Sequence, residues 1–290
     1  MADIVIVGSG PAGISAAIYA SRAGLDTVVI GKGGGALEKT DKIENYYGFE
    51  HPVAGAYLLE QGRKQAANVG AKVVTGEVVG VNFEEKLTVR TKDEAYPAGA
   101  VILATGSSRT APKIPGIAEF EGKGVSYCAL CDAFFYKGKD VAVLGGGEYA
   151  VHEALELLPT SRSVTMLTGG GRPAAEIPEG ILADEREIEA FEGDSAIRRV
   201  RFQDGSVLEI AGLFIAVGVA GSADFAKKLG AETEGAKIVV DENMATAVPG
   251  LYAAGDCTGG LLQIAKAVYE GAKAGTEAVK YVRKLKQKEK

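Results

Sequence analysis

Apolar positions fall in two rhythms along the chain. Short runs such as residues 3–7 (DIVIV) and 27–30 (TVVI) have the length and β-branched content of buried parallel strands. Between them, residues 14–24 (ISAAIYASRAG) repeat apolar positions at helical spacing. Strand, glycine turn, helix and strand in this order make a βαβ start. A helix is predicted near 55–69, then strands near 71–75, 78–83 and 86–91, and a strand at 100–106 (AVILATG). The Pro- and Gly-containing stretch 111–116 (APKIPG) reads as a linker.

The same rhythm restarts at 140–145 (DVAVLG), continues through a helix (GGEYAVHEALELL) and ends on the strand SVTML. Two βαβ units in one chain amount to a weak internal duplication. Residues 174–200 are acidic and short, leaving little room for the further helix and strand of a full nucleotide-binding domain. A β run ends at 210–218, and a helix is expected from about 260 to 286 with a basic end. The fold class is therefore α/β: two Rossmann-like domains, the second reduced and inserted into the first. The expected limits are 1–112 with 245–290, and 113–244.

Composition narrows the chemistry. The 290 residues contain 40 glycines, about twice ordinary usage, gathered in clusters at 8–13, 31–35, 145–147 and 169–171. Such clusters suit turns that hug a nucleotide. A net charge of −6 argues against nucleic-acid binding. With no leader or long apolar run in view, a soluble, cytoplasmic protein with no membrane partner is expected. The two histidines, His51 and His152, give a metal site or a Ser/His/Asp triad little to draw on, and no metal is expected.

Gly8, Gly10 and Gly13, with Pro11 and Ala12 among them, form G-x-G-x-x-G between a strand and a helix. The first glycine allows the tight turn, the second admits a pyrophosphate, and the third lets helix and strand pack. The acid that usually holds the ribose about 20 residues on is missing, because the strand ends Ile30-Gly31-Lys32. Cys128 and Cys131 are spaced to close a small disulfide, with Asp132 beside them to exchange a proton. Half a zinc site is the alternative, but no second Cys pair or His pair completes it. Phe134, Phe135 and Tyr136 read as domain core, and Cys257 as a small buried residue.

Six segments then occur in the order and approximate spacing of the low-molecular-weight thioredoxin reductases, and the chain resembles that family over nearly its whole length. They are GSGPAG, KIENYYGF (42–49), ILATGS (102–107), GVSYCALCDAFFY (124–136), VAVLGGGEYA (141–150) and GLYAAGD (250–256). The resemblance implies FAD bound by the two chain ends, thioredoxin as substrate, and a homodimer. Carried over by position, Gly8, Gly10 and Gly13 face the FAD pyrophosphate and Asn45 lies near the flavin. Thr105 and Gly106 belong to the same cofactor site, and Asp256 holds the ribityl or phosphate region. Cys131 would meet the flavin, Cys128 would attack thioredoxin, and Asp132 would supply the proton. Where the family commonly has Arg-Gln-Ala, the aligned residues are Gln263, Ile264 and Ala265.

A second departure concerns the electron donor. Gly145, Gly147 and Ala150 keep G-x-G-x-x-A, but NADPH-dependent members carry His-Arg-Arg and a further Arg after the next strand. Thr168, Gly169, Gly170 and Ala174 stand there instead. A 2′-phosphate would lose charge-assisted hydrogen bonds of about 1.5–3 kcal/mol each. The chain thus most resembles the ferredoxin-dependent flavin thioredoxin reductases. Arg198, Arg199 and Arg201, or the C-terminal lysines, are candidates for meeting an acidic ferredoxin. An NADPH- or deazaflavin-dependent enzyme and a non-catalytic redox sensor are the alternatives.

Overall fold

The computed structural model describes residues 1–288 except 34, 39, 84, 107–111, 128, 219 and 220; for 36, 130 and 131 the backbone alone is described. The chain divides into two compact units, Met1–Ser108 with Gly221–Lys290, and Arg109–Ala220.

The first unit opens with β1 (Ala2–Val7), α1 (Pro11–Arg22), β2 (Thr27–Gly31), a short α2 (Gly35–Glu38), α3 (Gly55–Asn68), β3 (Lys72–Thr75), β4 (Val78–Phe83), β5 (Leu87–Thr91) and β6 (Ala95–Leu103). β3, β2, β1 and β6 run parallel; β1, β2 and the second half of β6 are buried as near-continuous apolar runs, whereas β3 at the sheet edge is partly exposed. β4 and β5 form an antiparallel meander along the first half of β6. Proline at the first helical position starts α1 without a side-chain cap. Its buried face is made of small residues, Ala12, Ala16, Ala17 and Ala20.

The second unit holds β7 (Val125–Ser126), α4 (Ala129–Asp132), a 3-10 turn (Ala133–Tyr136), β8 (Asp140–Leu144), α5 (Glu148–Leu157), β9 (Ser163–Leu167), β10 (Ile181–Asp184), β11 (Ile188–Gly193), β12 (Ile197–Phe202), β13 (Val207–Glu209) and β14 (Gly212–Ile215). Its parallel sheet has the order β10-β9-β8-β14-β7, with β11, β12 and β13 as a separate antiparallel sheet. Phe120, Leu144, Phe191, Phe202 and Leu213 share one core. The stretch expected to lack both a helix and a strand lacks only the helix. β10 pairs directly with β9, and two further strands follow it.

The chain then returns to the first unit through α6 (Ser222–Lys228), the small ribbon β15 (Thr233–Glu234) and β16 (Lys237–Ile238), β17 (Leu251–Ala253) and α7 (Ile264–Lys288). β17 extends the sheet along the second half of β6. α7 packs on α1 so closely that a Cβ at Gly271 would lie 2.0 Å from the Ala12 carbonyl oxygen. The return occurs at 220/221, earlier than the 244/245 expected from sequence, because α6 packs against β4 and β16. Among the described residues, no helix is long and apolar enough to cross a membrane.

Candidate active site

The turn from β1 into α1 is built for a close-approaching ligand. Gly8 has φ +114, and a Cβ there would come 2.2 Å from the Ala104 oxygen; one on Gly13 would come 1.9 Å from the Gly8 oxygen. Both positions exclude side chains. A Cβ on Gly10 would meet nothing within 4 Å, so the loop is open on the side where the helix presents its first N–H groups. Those N–H groups and the positive end of the helix suit a pyrophosphate.

Sequence reasoning found no partner for the ribose, and it missed Arg63. On α3, Arg63 donates from Nη2 to Ser9 Oγ at 3.2 Å, and its buried Nε has no hydrogen-bond partner. An orphaned guanidinium donor beside an empty-sided glycine loop fits an anionic group. Ser9 Oγ in turn donates to the Gly33 carbonyl at 3.3 Å.

The other cofactor candidates gather in this unit. Asn45 donates to Gln263 Oε1 at 2.8 Å, immediately before α7, whose first residues are Ile264 and Ala265. A cavity of about 400 Å³ joins Gly10 and Pro11 to Tyr46, Phe49, Leu59 and Ile264. Asp256 opens a 3-10 turn (Asp256–Thr258). The preceding Gly255, at φ +88, is held at both ends of its peptide: its N–H donates to Glu270 Oε2 at 2.8 Å, and its oxygen accepts from Lys266 Nζ at 2.9 Å. Lys266 and Glu270 pair at 3.0 Å, and Thr258 Oγ1 bridges them. Thr105 forms a reciprocal clasp with the fully buried Ser222: Ser222 N donates to Thr105 Oγ1 at 2.8 Å, and Thr105 N to Ser222 Oγ at 3.0 Å. Gly106 follows at φ +80. Cys257 is free and wholly buried, and burial pushes its thiol up to about 11.

In the second unit, Cys128 and the Cys131 side chain lie outside the described residues. Cys131 belongs to α4, and Asp132 ends that helix. Ala129 N donates to Glu153 Oε2 at 2.9 Å, and Glu153, on α5, is buried. Of the three aromatics expected in the core, only Tyr136 is partly buried. Its ring meets Phe214 edge-on at 5.2 Å, in space left by Gly212. Burial, then the Asp132 charge, raises the Tyr136 hydroxyl. Phe134 and Phe135 are 79% and 67% exposed, because successive residues of a short turn cannot all face one sheet.

The glycine turn at 145–147 keeps its form. Gly145 is at φ +150 against the Ala216 oxygen, and Ala174 N donates to Gly146 O at 2.7 Å. The end of β9 is different in character. Thr168 donates to the Asp184 carbonyl, and Gly170, at φ +100, lies against Glu187: a Cβ there would be 2.7 Å from Glu187 Cγ. Arg186 is committed elsewhere. It donates to Asp184 at 2.9 Å and to Ser206 at 2.6 Å and stacks 3.8 Å over the Phe202 ring. Arg186 holds the Asp184 carboxyl below its ordinary value.

The expected basic patch is compensated by its neighbours. Arg198 pairs with Asp194 at 3.4 Å, Arg199 with Glu192 at 2.8 Å, and Arg201 with Glu189 at 3.4 Å, because the carboxylates of β11 and its turn stand opposite β12. Lys280 and Lys286 on α7 pair with Glu277 and Asp3. Lys284 and Lys288 have no ionic partner among the described residues. Among those residues, no group of three His, Cys, Asp or Glu could hold a metal.

Comparison with known proteins agrees with this geometry. The family model of pyridine nucleotide-disulphide oxidoreductases matches residues 2–271. A thioredoxin reductase from Listeria innocua is 36% identical, over 98% of this chain and 95% of that protein. The atypical thioredoxin reductase TRi from Desulfovibrio vulgaris Hildenborough superposes with a TM-score of 0.92 at 44% identity, covering 98% of this chain and 99% of the other. A ferredoxin-flavin thioredoxin reductase from Clostridium acetobutylicum gives 0.70 at 31%, covering 98% of each. With a nucleotide turn at Gly8–Gly13, a buried clamp behind Asp256 and this likeness along its length, the chain belongs to the thioredoxin reductases, FAD flavoproteins of the pyridine nucleotide-disulphide oxidoreductase family.

Proposed function

We propose that this enzyme reduces thioredoxin with electrons that reach its FAD from reduced ferredoxin rather than from a pyridine nucleotide. The observation that carries the donor assignment is Glu187 lying against Gly170. Where a 2′-phosphate would need cations, the chain presents a carboxylate, and Arg186 is already held by Asp184. Two negative groups at close range repel, and among the described residues no cation is placed there to offset it.

When bound, FAD supplies a two-electron couple that accepts single electrons from the donor and passes a pair to a disulfide. The chain's residues do the rest. Two electrons and two protons would convert the Cys128–Cys131 disulfide to two thiols. Cys128 as thiolate then attacks one sulfur of the thioredoxin disulfide, giving a mixed disulfide. Cys131 displaces thioredoxin and re-forms the internal disulfide, and Asp132 exchanges the proton. Gly8, Gly10, Gly13 and Arg63 would hold the pyrophosphate side, and Asp256, set by Gly255, would hold the ribityl side. The active form is a cytoplasmic homodimer, with Lys284 and Lys288 available to an acidic donor.

A second reading, an NADPH- or deazaflavin-dependent enzyme, rests on the retained turn at Gly145 and Gly147. One anaerobic titration separates the two. Reduced ferredoxin should bleach the visible flavin band and support thioredoxin turnover, whereas NADPH should not. Rapid bleaching by NADPH with no response to ferredoxin refutes the ferredoxin assignment.

A further inference from the structure

Among the described residues, one carboxylate oxygen is buried with no hydrogen-bond partner: Oε1 of Glu77, whose side chain is 9% exposed. Its Oε2 pairs with Lys32 Nζ. The two residues leave the sheet side by side. β2 and β3 end in register with Gly31 opposite Thr75, and Gly76 N donates to the Gly31 carbonyl at 3.2 Å. Gly31 in turn stands against Ser9 of the first glycine turn, with no room for a Cβ, and Ser9 Oγ accepts from Arg63. Turn, arginine, lysine and carboxylate therefore share the edge formed by the C-terminal ends of β1, β2 and β3, where open parallel sheets take their ligands.

In a nucleotide turn of this kind, an acid at the end of β2 ordinarily accepts the 2′-hydroxyl of the ribose. Lys32 follows β2 here, and an ammonium has no acceptor to offer. We propose that Glu77 takes over that role from the next strand, accepting the 2′-hydroxyl of the adenosine ribose of FAD, with Lys32 as the positioning residue that holds its carboxylate. A buried acceptor left unmatched is unfavourable in the unliganded protein, and a ribose hydroxyl removes that penalty. Lys32 does not seal the site, because its side chain is 63% exposed on a flexible stem and can swing outward as the ligand enters. The pyrophosphate contacts described above make no use of Glu77, and the assignment holds whichever donor reduces the flavin.

The test is flavin exchange on the full-length holoenzyme, equilibrated with mixtures of FAD and its 2′-deoxyadenosine analogue, with the bound flavins then released and counted by chromatography. The parent should prefer FAD over the analogue about tenfold. Glu77→Met keeps the length of the side chain and removes the acceptor, and should bind the two flavins equally. Glu77→Gln keeps a neutral acceptor and should fall between parent and Glu77→Met; it also carries the test alone should the methionine variant fail to fold. A merely structural role would weaken both flavins alike and leave their ratio at the parent value. Equal binding of FAD and the analogue by the parent, or a preference undiminished in either variant, overturns the proposal.

Discussion

The side-chain amide of Asn45 donates to the side-chain carbonyl of Gln263, 218 positions later, at 2.8 Å. One lies in the loop before α3 and the other at the threshold of α7, and their chain neighbours Tyr46 and Ile264 both line the cavity beside Gly10. Removing either side chain leaves the other without its partner. A net hydrogen bond of about 1 kcal/mol corresponds to roughly fivefold in binding. Asn45→Ala and Gln263→Ala should each weaken FAD retention by about that factor and leave the thermal midpoint of the apoprotein nearly unchanged. Equilibrium dialysis against free FAD measures the first effect, and differential scanning calorimetry the second.

The Lys266–Glu270 pair should have a larger effect, because it is more enclosed. Its side chains are 15% and 11% exposed, and Glu270 accepts from both Gly255 and Thr258. Lys266→Met leaves the carboxylate buried without its cation, a change of about 3–5 kcal/mol for a fully buried pair and about 2–3 here. Urea unfolding should show it as a lowered midpoint. FAD loss should accompany it, because Gly255 sets the direction of Asp256. A variant that unfolds like the parent would show that the pair does not hold the loop.

The parts of the site legible in the sequence are those written in local order. Gly8–Gly13 after a strand, Gly145–Ala150 after another, and the long amphipathic α7 each need only neighbours in the chain to be recognised. Pairings over long separations were not legible. Thr105 with Ser222, Lys266 with Glu270 through Gly255, and Ala129 with Glu153 become partners only when sheets and helices pack. The arginines of β12 looked like a patch because the sequence does not show that Glu189 and Glu192 stand opposite them. The early return of the chain was hidden likewise, since α6 is short and gains its place from β4 and β16.

Cys257 makes the thiol count a clean assay. It is fully buried, donates to the Leu103 and Ala254 carbonyls, and titrates near 11 because burial disfavours thiolate. A raised folded value contributes stability that is complete below the unfolded value near 9 and is lost as pH rises through about 11. At pH 8 the oxidised native protein should therefore give no reaction with a chromogenic disulfide reagent. Reduction should reveal two thiols, and unfolding the third. Cys257→Ala should flatten the stability profile between pH 9 and 11, read from urea midpoints across that range.

Glu187 offers a direct test of why the second glycine turn would not serve NADPH. Restoring an arginine at Gly170 is a poor experiment, because φ +100 strains any side chain and its Cβ would fall 2.7 Å from Glu187 Cγ. Glu187→Arg avoids both problems, since Glu187 is exposed and its backbone is unaltered. The exchange removes a repelling charge and supplies one cation at the same place. A single charge-assisted hydrogen bond of about 1.5–3 kcal/mol amounts to roughly ten- to a hundredfold in affinity. Glu187→Arg should thus show anaerobic flavin reduction by NADPH at least about tenfold faster than the parent, with NADH unaffected because it has no 2′-phosphate to contact. Gly170→Arg should lose stability and gain nothing. If Glu187→Arg folds normally and remains inert to NADPH, charge at the end of β9 is not what governs donor choice.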